Sequence, residues 1–522
     1  MRKENNMRQY ETFELVFQGE ALNDNRAGAA VEAEFACGEN RKTVKGFYDG
    51  DGNYVVRFLP EVSGLYRWKV SGAVTAEGEA LCEPAKEQHG IVKAVATHFE
   101  FEDGTLYYPF GTTVYALAHQ DDEIVRETLE SLQSAPFNKI RMCVFPKSYD
   151  YNQNEPPCFA FEKSEDGSWN VSRPDIRFWH RFEKILKAIG AMGIQVDLIL
   201  FHPYDRWGLS ALKQEENLTY LDYLLRRLSA FPFIWWSLAN EYDLCAEHKS
   251  LADWEEIECY VAENDPYGHL LSNHNCLCFW DHARENITHA SLQTKAHTQI
   301  PRWLAKYQKP IMIDECCYEG NLPTFWGSIS AREMVNRFWR CVASGAYCTH
   351  GETFLDENDV IWWAKGGVLK GKSPKRIAFL RSIIESLPGP LEAEPNRFLQ
   401  LLQADEESLK AILSPLPEGT QGFLRSIYQS ANRMEELDLA FHFSYEHEWA
   451  AHCKEAAYLW FNDLQCYQEK TLELPADKRY RVEWIDTWEM TRVLAVNGAS
   501  GKTTIRLPGK EGIAVLATRT DA

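Results

Sequence analysis

Two stretches decide the fold: Trp235-Trp236-Ser237-Leu238-Ala239-Asn240-Glu241 and Ile311-Met312-Ile313-Asp314-Glu315. Each is a short, almost continuous apolar run that ends in a polar residue followed by a glutamate. Continuous apolar runs of this length are typical of parallel strands that are buried on both faces. We therefore expect two buried strands, each with a glutamate side chain at its C-terminal end.

Outward from these strands, residues 96–390 alternate between strand-like and helix-like patterns. Apolar side chains recur at helical spacing over 175–192 and 330–342, for example, and apolar strand-like runs precede the helices. Eight such units in about 290 residues predict an α/β fold, a (β/α)8 TIM barrel. The predicted strands are 106–114, 140–144, 196–200, 233–238, 270–272, 290–292, 311–313 and 346–348.

The regions on either side of the barrel are strand-like. In residues 1–95, short alternating apolar runs are separated by turn sequences such as Asp49-Gly50-Asp51-Gly52-Asn53, which predicts an N-terminal β-sandwich. Residues 391–522 return to short apolar segments, among them Phe398–Leu402 and Leu409–Leu413, and we predict a C-terminal β-sandwich there. The expected domains are therefore 1–95, 96–390 and 391–522.

The composition argues against several classes of partner. The formal net charge of the 522 residues is −21, which argues against nucleic acid and anionic membranes because phosphate binding requires basic patches. No apolar stretch approaches the roughly 18 residues of a membrane span. Since the N-terminus also lacks the apolar segment of a secretory signal, we expect a cytoplasmic protein.

The 14 cysteines do not have the spacing of a structural zinc site, and we expect them to be reduced and mostly structural. We expect neither a metal ion nor an organic cofactor. The oligomeric state stays open, with a homo-oligomer among the alternatives.

The active site of a TIM barrel is built at the carboxyl ends of its strands, so Glu241 and Glu315 should face one mouth. Two carboxyl groups in one pocket are what glycosidic cleavage requires. One remains protonated to donate to the leaving oxygen, and the other remains ionised to attack the anomeric carbon. In a retaining enzyme the two groups lie about 5–5.5 Å apart.

Asn240-Glu241 after the fourth strand, with Glu315 after the seventh, resembles clan A of the glycoside hydrolases. The resemblance implies that Glu241 is the acid/base, that Glu315 is the nucleophile and that Asn240 donates to a sugar 2-hydroxyl. The first strand, Tyr108-Pro109-Phe110-Gly111-Thr112-Thr113, and the eighth, Thr349-His350-Gly351-Glu352-Thr353, are similar to the apiosidase-like barrel proteins of that clan.

The N-terminal Gly46-Phe47-Tyr48-Asp49-Gly50, followed by Gly64-Leu65-Tyr66, resembles the sandwich domains that accompany such barrels in bacteria. One feature departs from the clan. Many of its enzymes carry a tryptophan at the end of strand eight, where this chain has His350-Gly351-Glu352, so the sugar subsite could differ in substrate.

Further candidates follow from their positions after predicted strands. Arg141 in strand two could hold Glu315 ionised, or it could pair with a structural carboxylate. Tryptophans in the loops, Trp207, Trp280, Trp326, Trp362 and Trp363, could pack on sugar rings, although each alone could equally be scaffold. The histidine of His202-Pro203-Tyr204-Asp205 could line the pocket or make an ordinary loop hydrogen bond. The substrate-binding candidates are Arg141, His202, Asn240, His274, Gln293, His350, Glu352, Trp280 and Trp326.

We thus predict a retaining glycoside hydrolase that acts on a carbohydrate, a small oligosaccharide or glycoside. Two alternatives stay open. A metal-dependent barrel hydrolase could gather His202, Asp205, His274 and Glu315, although a tight ligand set is not visible. A non-catalytic carbohydrate-binding protein could retain the same architecture without activity.

Overall fold

The computed structural model describes residues 7–358, 360–394, 401, 404–434 and 448–521. These residues divide into two compact units. One contains the N-terminal sheets and the barrel strands, and the other contains residues 296–305, 335–346 and the chain from 382 onward.

Eight parallel strands form the predicted barrel and pair in the order five, four, three, two, one, eight, seven, six. The ladder is not formed between strands five and six, where the Thr288 amide donates to the Leu271 carbonyl at 2.9 Å instead. The fold class predicted from the apolar runs is confirmed. The strands are Phe110–Thr113, Lys139–Cys143, Gln195–Phe201, Ile234–Ala239, Leu271–Ser272, Ala290–Gln293, Ile311–Glu315 and Tyr347–His350.

Helices follow every strand except the fifth. The connection from strand five to strand six, residues 273–289, is described throughout and contains no helix, so the prediction of eight complete strand–helix units was wrong at this point. The helices are Asp122–Ser134, Ile176–Gly190, Gln214–Leu228, Leu251–Asn264, Ile300–Tyr307, Ala331–Val342 and Ser373–Ile384.

A three-stranded sheet of Val92–Val95, His98–Phe101 and Leu106–Tyr107 precedes the barrel. The run predicted as one strand over 106–114 is therefore divided between this sheet and the first barrel strand. Phe99 is fully buried, with its ring centroid 5.2 Å from that of Trp235 and 5.1 Å from that of Tyr347. Both partners lie in the amino-terminal halves of their strands, so the sheet covers the floor of the barrel and leaves the opposite end for the site.

The N-terminal region contains a five-stranded and a three-stranded sheet that share one apolar core. The rings of Phe35 and Phe58, one from each sheet, are stacked with centroids 4.0 Å apart. The five-stranded sheet contains Met7–Arg8, Val31–Cys37, Asn40–Lys45, Gly64–Gly72 and Ala76–Glu83, and the other contains Phe13–Gln18, Phe47–Tyr48 and Asn53–Phe58.

A buried ionic cluster joins these sheets to the barrel helices. Glu183 accepts hydrogen bonds from Arg57 at 2.7 and 2.8 Å and from Arg227 at 2.6 Å. Burial by itself would raise the pKa of the Glu183 carboxyl, but the two guanidinium groups outweigh it and lower the pKa to about 2. The cluster is therefore held together by the ionised carboxylate.

We expect Glu183→Gln to lower the free energy of unfolding by about 3–5 kcal/mol, because it leaves two buried guanidinium groups without their shared anion. Since the folded-state pKa is depressed, the stabilisation is present above the unfolded-state value near pH ~4.3 and is lost as the pH falls toward about 2. Urea denaturation at several pH values measures both effects. The control is Glu79→Gln, which removes the exposed partner of Arg67 and should change stability by less than ~0.5 kcal/mol. Equal losses in the two variants would contradict the assignment.

The C-terminal region contains a six-stranded antiparallel sheet and a two-stranded ribbon around one core, as expected for a sandwich-like region. The segment Leu409–Leu413, predicted as an apolar-alternating strand, is instead part of the helix Glu406–Leu413, and a second helix spans Glu418–Ala431. The prediction over Phe398–Leu402 lies outside the described residues except at Leu401. The sheet contains Glu392–Ala393, Trp449–Cys453, Ala457–Asn462, Tyr480–Asp486, Thr491–Ala499 and Ile513–Arg519, and the ribbon contains Glu469–Glu473 and Lys502–Arg506.

Within the described ranges, no helix combines the length and the apolar character that crossing a membrane would demand.

Candidate active site

Glu241 lies just beyond the fourth strand, and its side chain is held by three donors. The Tyr204 hydroxyl donates to its carboxylate, the Asn240 amide donates at 3.0 Å, and the Gln293 amide donates at 3.3 Å. The residue is only 6% exposed. Its backbone is left-handed, with φ 57° and ψ 55°, a conformation that costs non-glycine residues free energy and clusters at functional sites.

Glu315 is the last residue of the seventh strand and is 4% exposed. The Tyr115 hydroxyl forms a hydrogen bond with its carboxylate, and Arg141 Nη1 lies 3.8 Å from the same oxygen. Arg141, predicted as a partner of Glu315, is fully buried in the second strand. Arg141 Nε also lies 3.5 Å from Asp197 and 3.8 Å from Asp314, so its charge is shared among three carboxylates and both expectations for Arg141 are met.

The two glutamates lie at the carboxyl ends of strands four and seven and share neighbouring side chains. Asn240 Oδ1 is 2.9 Å from the Tyr115 hydroxyl, while Asn240 Nδ2 is the group that donates to Glu241. Gln293 pairs with Glu315 across the strand register and reaches Glu241 with its side chain. Two intervening side chains, Asn240 and Tyr115, thus connect the carboxylates that the sequence places far apart.

The charges in the pocket affect one another directly. Burial raises the pKa of the Glu315 carboxyl, and the nearby Glu241 raises it further, whereas Arg141, Lys147 and the Tyr115 hydrogen bond act in the opposite direction. Two carboxyl groups that interact in this way retain one proton between them more readily than two isolated groups would. The pair can therefore supply one acid and one carboxylate at the same time.

A buried ionic cluster beneath the pocket fixes the strand that carries Glu315. Asp314 accepts hydrogen bonds from Lys139 at 2.7 Å, Ser291 at 2.5 Å and Thr349 at 2.8 Å. These donors come from the second, sixth and eighth strands, and Lys139 also pairs with Asp197 of the third at 2.7 Å. The Asp-Glu ending of strand seven thus has two uses: Asp314 ties the strands together, and Glu315 faces the pocket.

Asp243 holds the loops that carry the Glu241 contacts. Its carboxylate accepts from the amides of Cys276, Leu277 and Cys278 at 2.6–2.8 Å. Those residues follow His274, whose Nδ1 accepts from the Glu241 amide at 3.3 Å. The predicted His274 therefore contacts the backbone of Glu241 and is kept neutral, since burial holds its pKa well below the usual value.

Lys147 is a functional candidate that the sequence analysis did not single out. Its ammonium lies 3.5 Å from the ring centroid of Tyr115 and 4.2 Å from that of Tyr204, the two tyrosines that contact the glutamates. The residue is 2% exposed, and within the described part of the chain its ammonium forms no ion pair. Burial lowers the pKa of Lys147, while Glu241 and Glu315 both act to raise it.

Tyr115 and Tyr204 were not predicted as site residues either. Tyr204 belongs to the His202-Pro203-Tyr204-Asp205 stretch, whose histidine is the predicted pocket residue. The structure places His202 against the Phe145 carbonyl at 3.2 Å, and burial lowers its pKa to about 3. Tyr115 directly follows the first barrel strand, so a search of every strand end for polar side chains would have found it.

The tryptophans are divided between the core and the pocket. Trp280, predicted to bind substrate, is buried with its indole donating to Glu258 at 2.9 Å and packs in the barrel core. Trp326 is partly buried beside the exposed Phe325, with ring centroids 6.1 Å apart. Trp363 is the one that packs near the glutamates, 6.1 Å from Tyr115 and 5.4 Å from Tyr318 between ring centroids.

His350 and Glu352 lie together at the end of the eighth strand. Glu352 is 1% exposed, and both of its oxygens accept backbone amides, from Lys370 at 2.5 Å and Gly371 at 2.7 Å. Burial raises the pKa of its carboxyl to about 7. His350 Nδ1 lies 3.2 Å from the Thr112 hydroxyl. In the described part of the chain, neither side chain forms a hydrogen bond or an ion pair with Glu241 or Glu315.

The ligand set of the metal-dependent alternative is not gathered. His202 and His274 have the partners described above, and Asp205 accepts from the amides of Trp207 and Ser210 at 2.7 and 2.6 Å. Among the described residues, the group of acidic, histidine or cysteine side chains close enough to share an ion is Glu319, His350 and Glu352.

Comparison with known proteins identifies the family of the chain. Residues 95–388 match the family described as "Apiosidase-like, catalytic domain". The chain belongs to this apiosidase-like family. Its flanking regions match two domain families of unknown function, DUF5060 over residues 6–73 and DUF5605 over residues 446–518.

Solved structures extend the comparison. A "putative glycoside hydrolase" from Bacteroides vulgatus ATCC 8482 is 32% identical to this apiosidase-like chain with a TM-score of 0.83, over 99% of this chain and all of the other. A glycoside hydrolase family 5 protein from the same organism is 14% identical with a TM-score of 0.57, over 83% and 93% of the two chains, and shows a shared fold. No curated protein matches the sequence. The glycoside hydrolase relationship predicted from the strand ends is confirmed.

Proposed function

We propose that this chain is a retaining glycoside hydrolase, with Glu315 as the nucleophile and Glu241 as the acid/base. The observation that carries the proposal is the chain of contacts from Glu241 through Asn240 and Tyr115 to Glu315. Two carboxyl groups with unlike surroundings that share neighbouring side chains support the assignment of a catalytic pair. Small oligosaccharides or glycosides are the proposed substrates, because both carboxyl groups are almost completely buried.

The first step forms a bond between a Glu315 oxygen and the anomeric carbon. The bond from that carbon to the glycosidic oxygen breaks, and Glu241 gives its proton to the departing oxygen. In the second step Glu241 takes a proton from water, and the water oxygen displaces Glu315. Arg141 and Tyr115, which contact the Glu315 carboxylate, favour its ionised form at the start and the end of the cycle.

The surroundings of Glu241 suit the other role. Its donors, Tyr204, Asn240 and Gln293, are uncharged side chains, whereas Glu315 has a guanidinium group at 3.8 Å. A nearby guanidinium group favours the ionised form of a carboxylate, which suits Glu315 to attack the anomeric carbon and leaves the acid/base role to Glu241. This difference supports the assignment of the two roles.

The stereochemical outcome tests the proposal. A panel of aryl glycosides identifies a substrate, and proton NMR then follows the anomeric signal of the sugar released in the first minutes of the reaction. We expect the configuration of the substrate to be kept. Initial release of the opposite anomer would overturn the two-step mechanism. Unchanged turnover in both Glu241→Gln and Glu315→Gln would overturn the site.

Lys147 gives a prediction about pH. Because its ammonium lowers the pKa of Glu315, Lys147→Met should move the acidic limb of the kcat/KM profile upward by roughly half to one pH unit and reduce kcat/KM by about tenfold or more. Lys147→Arg retains the positive charge and should keep the limb near its original position. Lys163→Met removes a lysine that lies over Trp169 outside the pocket and serves as control. A Lys147→Met profile that coincides with the wild-type profile would contradict this role.

A further inference from the structure

The ends of the seventh and eighth strands bring two further carboxylates side by side. Glu319 and Glu352 are directly opposite each other in a short parallel pairing, and each is 1% exposed. They are not the proposed catalytic pair, since neither contacts Glu241 or Glu315 through any hydrogen bond in the described residues. Two buried carboxylates at neighbouring positions need a source of positive charge.

Backbone amides supply part of that charge and fix both groups. Glu352 accepts from the amides of Lys370 and Gly371, and Glu319 accepts from those of Lys372 and Ser373 at 2.8 and 3.1 Å. A side chain at Gly371 would place its first carbon 2.5 Å from a Glu352 oxygen and 2.7 Å from a Glu319 oxygen, so it would displace both carboxylates from their present positions. Each carboxylate oxygen receives one donor, which leaves a second lone pair on each.

The nearby lysine Lys370 pairs with a different carboxylate. The ammonium of Lys370 pairs with Asp356 at 2.5 Å. In the part of the chain that the structure describes, neither Glu319 nor Glu352 forms an ion pair with a lysine or arginine. The amides therefore orient the two carboxylates without fully compensating their negative charge.

His350 is the second, independent observation. It is completely buried, its Nδ1 lies 3.2 Å from the Thr112 hydroxyl, and its Nε2 has no hydrogen-bond partner. Its ring is stacked on Phe137, with centroids 4.8 Å apart, which fixes the orientation of the ring. One ligand atom of His350 lies within 4.8 Å of one oxygen from each glutamate. A buried imidazole with one unpartnered nitrogen thus lies beside two carboxylates.

We propose that Glu319, His350 and Glu352 form a binding site for a divalent transition-metal ion, with Zn²⁺ or Mn²⁺ as the class that a mixed imidazole–carboxylate set takes. The backbone amides are the outer partners that orient the two carboxylates, as is usual around metal ligands. The ion has a structural role here. It ties strands seven and eight to residues 370–373, which begin the helix Ser373–Ile384.

This site is connected to the candidate active site through Trp363. The Trp363 amide donates to the Glu352 carbonyl at 3.0 Å, and its indole packs against Tyr115 and Tyr318. Occupation of the metal site is expected to stabilise this wall of the pocket. The proposal does not depend on the glycosidase assignment, because its readouts are metal content and thermal stability.

The test uses the full chain, purified without chelator, dialysed and analysed for metals by inductively coupled plasma mass spectrometry. We expect close to one equivalent of Zn²⁺ or Mn²⁺ per chain, falling at least tenfold in the double variant Glu319→Gln/Glu352→Gln. After EDTA treatment, added Zn²⁺ or Mn²⁺ should raise the Tm of the wild-type chain by ~5 °C and leave the double variant unchanged. Asp356→Asn, which alters the same segment without removing a ligand, should respond like the wild type.

The rival explanation is a proton shared between Glu319 and Glu352. Glutamine mimics a protonated glutamate, so Glu352→Gln would then unfold at the wild-type Tm, and the wild-type chain would hold no stoichiometric metal and show no shift with either ion. That combination would overturn the proposal. If the variants fail to fold, the EDTA and metal titration of the wild-type chain decides alone: a saturable rise in Tm supports the site, and no rise overturns it.

Discussion

Glu315→Gln is expected to lower kcat/KM for an aryl glycoside by roughly 10⁴-fold or more, because it removes the oxygen that attacks the anomeric carbon. Glutamine has nearly the same volume and can still accept from Tyr115, so the fold around the seventh strand should persist. The loss should be similar for good and poor leaving groups, since both need the same nucleophile. Initial rates over a series of leaving groups, with circular dichroism and Tm for each protein, measure the effect.

The matched control is Glu357→Gln, an exposed glutamate in the loop after the eighth strand. It makes the same chemical change without touching the pocket, and its kcat/KM should stay within about twofold of the wild type. A folded Glu315→Gln variant with a loss of less than tenfold would contradict its assignment as the nucleophile.

Glu241→Ala is expected to affect substrates according to their leaving groups. Poor leaving groups require the proton from Glu241, so their kcat/KM should fall by about 10²–10⁴-fold. Dinitrophenolate departs without a proton, so its first step should be nearly unaffected while the second step becomes slow. Azide should then restore turnover by attacking the glycosyl-enzyme without general-base help, giving a glycosyl azide of retained configuration.

Glu247→Gln is the control for this variant, because Glu247 is exposed in the connection that follows the same strand. It should show neither the leaving-group dependence nor the response to azide. If Glu241→Ala slows all leaving groups equally and azide has no effect, Glu241 is not the acid/base.

The fold could be predicted because strands that are buried on both faces consist of nearly continuous apolar residues. The run Ile234–Ala239 is apolar except for Ser237, and Ile311–Glu315 is apolar before Asp314. The structure confirms both as barrel strands. The helix Glu406–Leu413 could also have been found, because Leu409 and Leu413 are four residues apart and Asp405 caps the helix. Five residues taken alone are too few to distinguish the four-residue spacing of a helix from the alternation of a strand.

The site was predictable only in part, because sequence shows which residues end a strand and not which side chains meet. Strand ends and the resemblance predicted Glu241, Glu315, Arg141 and Asn240 as site residues, and the structure brings these four side chains together. Lys147 lies in a long loop, and its position over Tyr115 and Tyr204 depends on how that loop folds back across the barrel mouth. Trp280 was predicted to bind substrate at the barrel mouth because it lies in a loop. Its hydrogen bond to Glu258 instead holds it in the core.

Covalent trapping tests the central claim most directly. The full chain is incubated with activated 2-deoxy-2-fluoro glycosides of the sugar identified in the aryl-glycoside panel, and the intact mass and its peptides are measured. The account predicts one glycosyl adduct per chain, located on the peptide containing Glu315 and absent from Glu315→Gln. An adduct on a different residue, or none while the parent glycoside is turned over, would contradict it.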